Sequence, residues 1–281
     1  PIALLRRVAV GPAVLEFAAE DPLARPVIAA LYHAATPSQA AATLHYRMQR
    51  VRGGWLALSP ARPPFGPASL EDVFAFLEWR ATEDLLSADG AVFLHAAGLR
   101  LGDRQVLLVG ESGAGKSSLT AHLFVRGYLA WGDDLVRFAP DSGHFSTVPR
   151  SWKLDAKVMD SIYLLSLLSA EGAPGMLLAN SVLYVSPAAL RRRWQAPEAR
   201  ADVVVLLDKA SHGEAPRVER MSAGEGALRT ARMLLGGGVN RNGGSAMMLQ
   251  VLEALSGVAA YRAAGTPAAA LARLVEQELA A

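Results

Sequence analysis

The chain has 281 residues, 52% of them hydrophobic and 19% charged, and this composition excludes an intrinsically disordered protein. It contains no cysteine, which excludes disulfides, thiolate zinc sites and a cysteine nucleophile. The formal net charge is only +2, so we expect neither a nucleic-acid-binding nor a membrane-binding surface. The longest apolar run, 161–170, is too short for a membrane helix and no signal-peptide pattern is present, so we expect a cytoplasmic protein.

The patterning predicts an α/β fold with two domains, a smaller N-terminal α+β domain over residues 1–88 and a larger domain over residues 89–281. In the first domain, hairpins are predicted around Gly11-Pro12 and around 52–54. The proline-rich segment 60–67 predicts an extended loop. This region carries no catalytic motif, and we expect it to take part in substrate recognition.

A helix is predicted directly after that loop. Ser69 has the chemistry of an N-cap, and Asp72 follows three residues later, as in a capping box. Apolar residues then recur with helical spacing, which predicts a helix that ends near Leu86.

The second domain is predicted to begin with strands on either side of a glycine-rich loop. The sequence predicts a strand over 91–101, an apolar strand over 105–109 and a helix from Lys116 to about Arg126. Further predicted elements are strand and loop over 128–139, a helix over 154–170, strands over 183–185 and 203–207, a helix over 223–235 and a last helix that starts at Thr266-Pro267.

The glycine-rich loop matches the phosphate-loop pattern in full, with the residues Gly110, Glu111, Ser112, Gly113, Ala114, Gly115, Lys116 and Ser117. Glycines let successive backbone N–H groups point at phosphate oxygens, and the following helix presents its positive end. The pattern therefore predicts that these residues and Ser118 bind the phosphates of ATP. Lys116 would reach the β- and γ-phosphates and Ser117 would ligate Mg²⁺.

Two groups of carboxylates could act on the bound phosphate. Asp133 and Asp134 follow a predicted strand, and of such an adjacent pair one could hold Mg²⁺ while the other accepts a hydroxyl proton. Asp208 ends the apolar run 203–207, which is typical of a metal ligand in nucleotide hydrolases. The second arrangement would make the protein a hydrolase without a phosphoryl acceptor.

The order of these motifs resembles the bacterial HPr kinase/phosphorylase family, and more closely the HPr-kinase-related kinases. The matching segments are Leu94-His95-Ala96-Ala97, the phosphate loop, Arg126-Gly127 and Asp133-Asp134. The resemblance implies an HPr-kinase-like core with a mixed sheet flanked by helices, and a homo-oligomer. It implies that Asp133 is the catalytic base, that His95 orients Asp133, and that Asp134 is a second metal contact beside Ser117.

Two departures from the family bear on the substrate. The residue after the phosphate-loop serine is Ser118 where HPr kinase has glutamate, and the family's Glu-Ile-Arg-Gly signature has no match. Both argue against a phosphorolytic activity and against HPr as the substrate. The chain looks more like the kinases of peptide natural-product clusters, which include kinases that phosphorylate a serine of lasso-peptide precursors.

The sequence therefore predicts a kinase that transfers the γ-phosphoryl group of Mg·ATP to a Ser or Thr hydroxyl of a peptide or protein. Arg150 and Lys153 are candidate cations for the transferred phosphate. A small-molecule kinase and a non-catalytic ATP-binding module stay open as alternatives. Further candidate contacts are Arg229, Arg232, the basic segment 191–194 and a lid over 236–244.

Overall fold

The structure is a computed structural model, and every structural statement below concerns the residues that it describes. These are residues 3–10, 13–24, 27–28, 31–32, 44–87, 92–148, 150–155, 176–179, 181–185, 198–211, 213–235 and 244–280. Within these ranges the chain has a mixed α/β fold, with four sheets and helices packed against them.

The elements are numbered in chain order. The strands are β1 (Ala3–Val10), β2 (Ala13–Ala19), β3 (Leu44–Val51), β4 (Gly54–Leu58), β5 (Phe65–Ala68), β6 (Val92–Leu94), β7 (Ala96–Leu101), β8 (Arg104–Gly110), β9 (Leu129–Gly132), β10 (Val136–Ala139), β11 (His144–Thr147), β12 (Trp152–Asp155), β13 (Met176–Ala179), β14 (Val182–Val185), β15 (Val203–Leu207), β16 (Arg217–Met221), β17 (Leu234–Leu235) and β18 (Ala259–Ala264). The α-helices are α1 (Leu70–Ser87), α2 (Lys116–Val125), α3 (Ala223–Ala231), α4 (Gly244–Ala254) and α5 (Ala268–Ala280), and a short 3₁₀ helix covers Pro22–Ala24.

The first sheet has the order β1-β2-β3-β4-β5, and helix α1 packs on one of its faces. Both predicted hairpins are confirmed, since β1 pairs with β2 and β3 pairs with β4 in antiparallel register. The predicted loop over 60–67 is wrong at its end, where β5 adds to the edge of β4. Side chains shared by the sheet and α1 form a buried cluster that includes Phe17, Tyr46, Phe74 and Leu77.

Helix α1 begins as its sequence predicts. The Ser69 hydroxyl accepts a hydrogen bond from the Asp72 backbone N–H at 3.0 Å and donates one to the Asp72 carboxylate at 2.7 Å. The first of these bonds satisfies one of the backbone N–H groups that a helix start otherwise leaves unpaired. Because Ser69 and its partner Asp72 are only three residues apart, the sequence alone is enough to predict this helix start.

The central sheet has the order β16-β18-β15-β8-β7-β9, and β8, β15 and β18 run parallel. Alternate side chains of β8 and β15 enter two different cores. Val106 and Val205 face helices α2 and α5, whereas Leu107 and Val204 face helices α3 and α4. Burial on both faces explains why these strands read as continuous apolar runs. The carboxyl ends of β8 and β15 lie side by side at one edge of the sheet.

The strand predicted over 91–101 is two strands in different sheets. β6 pairs with β10 and β17 in a four-stranded sheet, and β7 joins the central sheet beside β8. His95 is the residue between them, and its backbone N–H donates to Met233 O at 2.9 Å instead of to a strand partner. The break places the His95 side chain where the two sheets meet.

The bounds of three further predicted helices can be compared with the structure. Strand β12 includes Leu154 and Asp155, so the helix predicted over 154–170 is wrong at its start, and the rest of it lies outside the described residues. Helix α3 ends at Ala231, before the predicted end at residue 235. The last helix begins at Ala268, next to the predicted start.

Among the described helices, none is both long enough and apolar enough to cross a membrane.

Candidate functional site

The loop between β8 and α2 is shaped by its glycines. Gly113 and Gly115 have φ angles of 80° and 94°, in the left-handed region that other residues adopt at a cost. Gly110 is needed for another reason, because a Cβ at this position would lie 2.7 Å from the Leu207 carbonyl oxygen on the neighbouring strand. Gly115 occupies the N-cap of α2 and no side chain caps that helix, so its first N–H groups remain available to an anion.

Lys116 lies at the base of this loop, and only 4% of its side chain is exposed. Its ammonium group donates to Gly110 O at 2.9 Å and to Glu111 O at 3.2 Å, and it lies 3.9 Å from Asp134 Oδ1. Burial lowers the pKa of Lys116, while the neighbouring aspartates favour its charged form. A cation is thereby held beneath the loop by carbonyl oxygens and carboxylates.

The two adjacent aspartates face different surroundings. The Asp133 side chain is buried, and neither of its carboxylate oxygens has a hydrogen-bond partner of normal geometry. Burial, and then the charge of Asp134, raise the pKa of Asp133 to about 7, although the nearby Ser117 hydroxyl favours the ionised form. This pKa lies where a carboxylate can take up and release a proton near neutral pH.

Asp134 is partly exposed and lies near the side chains of His95, Lys116 and Arg150. His95 Nε2 lies 2.6 Å from Asp134 Oδ1, and Arg150 Nη1 lies 4.0 Å from Asp134 Oδ2. Burial alone would raise the pKa of Asp134, but the His95 hydrogen bond and the Arg150 charge outweigh it and hold the pKa well below its usual range. Asp134 is thus ionised at neutral pH, as a metal ligand must be.

The expectation that His95 orients Asp133 is therefore wrong, because His95 is hydrogen-bonded to Asp134. The cause is the turn that follows β9. The Leu135 backbone N–H donates to Asp133 O at 2.7 Å, and Asp134 has a φ of 61°. This tight turn directs the Asp133 side chain into the interior and the Asp134 side chain toward His95.

Arg150 and Lys153, the predicted substrate cations, both contact a carboxylate that the sequence analysis did not identify. Glu78, in α1, is hydrogen-bonded to Arg150 and lies 2.9 Å from Lys153 Nζ. Burial alone would raise the pKa of Glu78, but the charges of Arg150 and Lys153 outweigh it and lower the pKa. The signal was present in the sequence, since Glu78 follows Phe74 by four residues and so falls on the buried stripe of its helix.

A cavity of about 310 Å³ brings most of the predicted residues together. It opens over the glycine-rich loop at the start of α2. Its lining is Ser112, Gly113, Gly115, Lys116, Ser117, Ser118, Asp134 and Lys153. Three predicted residues lie behind this lining. Asp133 is near Ser117, His95 is hydrogen-bonded to Asp134, and Arg150 lies 4.0 Å from Asp134.

Three residues of the predicted loop face elsewhere. Gly110 and Glu111 line a neighbouring cavity of about 210 Å³, and the Glu111 carboxylate lies 3.3 Å from Lys209 Nζ. The Ala114 side chain packs against the apolar core beneath α2. None of these three residues lines the cavity at the start of α2.

Asp208, the alternative metal ligand, also lines the second cavity but is paired with arginines. Its carboxylate accepts from Arg229 Nη2 at 2.7 Å and is ion-paired with Arg262. Burial would raise the pKa of Asp208, but the hydrogen bonds from Arg262 and Arg229 outweigh it. Both carboxylate oxygens are already occupied, and this argues against a bound metal there. Of the two predicted arginine contacts, Arg229 is therefore paired with Asp208, whereas Arg232 is exposed directly after α3.

The remaining sequence candidates fall outside the described residues. These are the basic segment 191–194 and residues 236–243 of the predicted lid.

The comparisons with known proteins give a distant likeness to solved structures. No family model matches the chain, and no curated protein matches it. Among solved structures, the chain is similar to the Hpr(Ser) kinase/phosphatase from Coxiella burnetii, with 15% sequence identity and a TM-score of 0.32, over 66% of this chain and 86% of that one. A likeness at this level establishes neither a family nor an activity for this chain.

Proposed function

We propose that the protein is a kinase that transfers the γ-phosphoryl group of Mg·ATP to a Ser or Thr hydroxyl of a peptide or protein. The observation that carries the proposal is the cavity above the glycine-rich loop, where Lys116, Ser117, Asp134 and Lys153 converge. Phosphoryl transfer needs cations around the phosphates, a carboxylate for the metal and a base for the acceptor. The cavity supplies candidates for the first two, and Asp133, directly behind its lining, is the candidate base.

Phosphate binding is supported by the loop and the helix together. The uncapped start of α2 and the loop backbone supply N–H groups, and Lys116 supplies a fixed positive charge. In the proposed complex, phosphate oxygens bind the ammonium group of Lys116, which in the free protein is held by loop carbonyl oxygens. Ser112 and Gly113, which are both exposed, line the same cavity.

The donor set fits Mg²⁺ bound together with a nucleotide. Within the described ranges no three acidic, histidine or cysteine side chains converge as a metal site, and Mg²⁺ commonly uses one or two carboxylates plus phosphate oxygens. Ser117 and the ionised Asp134 would hold it, and the carboxylate of Asp133 lies close behind Ser117. When bound, the ion would neutralise phosphate charge.

Asp133 is proposed as the base that takes the proton of the acceptor hydroxyl. Its pKa of about 7 and a carboxylate without a hydrogen bond of normal geometry support this role. Because the side chain is buried, an acceptor hydroxyl reaches it only after the residues that cover it rearrange. His95 and Arg150 then serve Asp134, which they hold ionised and in place.

The acceptor class rests on the resemblance of the ordered motifs alone. A ribosomal natural-product precursor peptide is the proposed acceptor, with recognition by residues 1–88. The assignment of residues 1–88 and 89–281 as separate domains belongs to the same proposal. A homo-oligomer is proposed on the same resemblance.

The proposal is tested by incubation of the protein with Mg·ATP and a library of serine- and threonine-containing peptides. We expect peptide phosphorylation by mass spectrometry, its loss in Asp133→Asn, and ATP binding in that variant close to the wild-type value. Asp103→Asn is the matched control, because Asp103 is a fully exposed turn residue paired with Arg100. Full activity of Asp133→Asn would contradict the assignment.

A further inference from the structure

A buried cluster of three charged side chains joins the first sheet's helix to the cavity wall. Glu78 comes from α1, Arg150 precedes β12, and Lys153 lies within β12. The side chains of Glu78 and Arg150 are 7% and 5% exposed, whereas that of Lys153 is 31% exposed. The carboxylate and the guanidinium are therefore interior, and the ammonium group reaches the surface of the cavity.

The cluster is held in place by packing on both sides. Phe74, one turn before Glu78 in α1, makes an edge-to-face contact with Tyr184 on β14, with ring centroids 4.6 Å apart. β14 in turn pairs with β12, where Lys153 lies opposite Tyr184. Arg150 forms an isolated antiparallel bridge with Tyr32. These contacts fix where Glu78 stands relative to both cations.

The charges of the cluster are not needed to fill the interior. Burial of a carboxylate and a guanidinium costs desolvation energy that their attraction often only balances. Lys153 at the cavity wall and Arg150 behind it would repel each other without a shared anion between them. Glu78 supplies this anion from behind, since it does not line the cavity itself.

We propose that Glu78 is a positioning residue that fixes Lys153 at the cavity wall to contact the terminal phosphate of a bound nucleoside triphosphate. Arg150, held by the same carboxylate, lies beside Asp134. The inference rests on the proposed function, because it places a nucleotide in this cavity. It makes α1, an element of the N-terminal region, part of the phosphate site.

The inference predicts a selective loss of affinity for the triphosphate. In Glu78→Gln, affinity for Mg·ATP measured by calorimetry should fall by about tenfold, the usual consequence of one lost charge-assisted contact. Affinity for Mg·ADP should change by less than about twofold, because ADP lacks the terminal phosphate. Lys153→Met should show the same pattern, and the double variant should lose no more than Lys153→Met alone.

Glu83→Gln is the matched control on the same helix. Glu83 is ion-paired with Arg80 and contacts nothing at the cavity, so its ratio of ATP to ADP affinity should equal that of the wild type. If Glu78→Gln does not fold, Glu78→Asp keeps the charge with a shorter reach, and its ratio should lie between those of the wild type and Lys153→Met.

Each other outcome overturns a defined part of the account. A wild-type protein that binds neither nucleotide contradicts the proposed function and this inference with it. Suppose that the wild type prefers ATP to ADP and that this preference survives both in the Glu78 variant and in Lys153→Met. This result overturns the inference and leaves the proposed function standing. A lower melting temperature with an unchanged ratio would show that Glu78 is only structural.

Discussion

Two carboxylate sites flank the glycine-rich loop, and they differ in how their charge is satisfied. Asp208 follows β15 and is paired with Arg229 and Arg262. Asp133 follows β9, is buried and has no hydrogen-bond partner of normal geometry on either oxygen. An acid whose oxygens are both occupied contributes to structure, whereas a buried acid without a hydrogen bond of normal geometry is costly and points to a chemical role.

The same difference appears in the pKa values. The pKa of Asp208 lies below its usual value, because the hydrogen bonds from its two arginines outweigh burial. Burial and the charge of Asp134 raise the pKa of Asp133 to about 7. A group poised near neutral pH can exchange a proton during a reaction, and a group held ionised cannot do so efficiently.

The largest expected effect is on phosphoryl transfer. Asp133→Asn keeps the shape of the side chain but cannot accept a proton, so the rate of transfer should fall by at least about a hundredfold. Nucleotide affinity should stay within a few-fold, since Asp133 does not line the cavity. Peptide phosphorylation is measured by mass spectrometry and binding by calorimetry. A loss of binding as large as the loss of rate would contradict the assigned role.

The pH dependence of the transfer should report the same carboxylate. A base must be ionised, and the pKa of Asp133 is about 7. The rate at saturating Mg·ATP should therefore rise as the pH increases through this value and level off above it. A rate that is flat between about pH 6 and about pH 8 would argue against Asp133 as the base.

The stability of the two sites should respond to pH in opposite directions. The raised pKa of Asp133 means that its contribution to stability is complete below the unfolded-state pKa and is lost as the pH rises through about 7. Relative to Asp133→Asn, the wild type should become less stable from about pH 5 to about pH 8. Denaturant titrations of the two proteins at several pH values measure this difference, and parallel curves would contradict it.

Asp208→Asn should have the smallest effect. The lowered pKa of Asp208 gives a stability contribution that is present at neutral pH and is lost as the pH falls. Because Arg229 and Arg262 are partly exposed, the loss at pH 7 should be at most about 1 kcal/mol. Phosphoryl transfer should stay within a few-fold of the wild type. An inactive Asp208→Asn would instead favour the hydrolase arrangement.

The sequence predicted the parts of this site that depend on local order. Strand β8, the glycine-rich loop and helix α2 follow one another along the chain, and each has its own pattern. The same holds for the Ser69 cap of α1, whose partner Asp72 is three residues away.

The parts that depend on distant contacts could not be predicted from one sequence. The sequence does not distinguish the two adjacent aspartates. In the structure, the turn with a φ of 61° at Asp134 directs the Asp134 side chain toward His95. Glu78 meets Arg150 from 72 residues away, and Asp208 meets Arg262 from 54 residues away. Such pairs are fixed by the packing of whole elements.

The central claim is that the carboxylates after β9, and not Asp208, act on the phosphate. The most direct test compares the wild type, Asp133→Asn and Asp208→Asn in one assay with γ-labelled Mg·ATP and the peptide library. The account predicts labelled peptide from the wild type and Asp208→Asn, and at least about a hundredfold less from Asp133→Asn. Labelled peptide from Asp133→Asn at the wild-type rate, with none from Asp208→Asn, would contradict it.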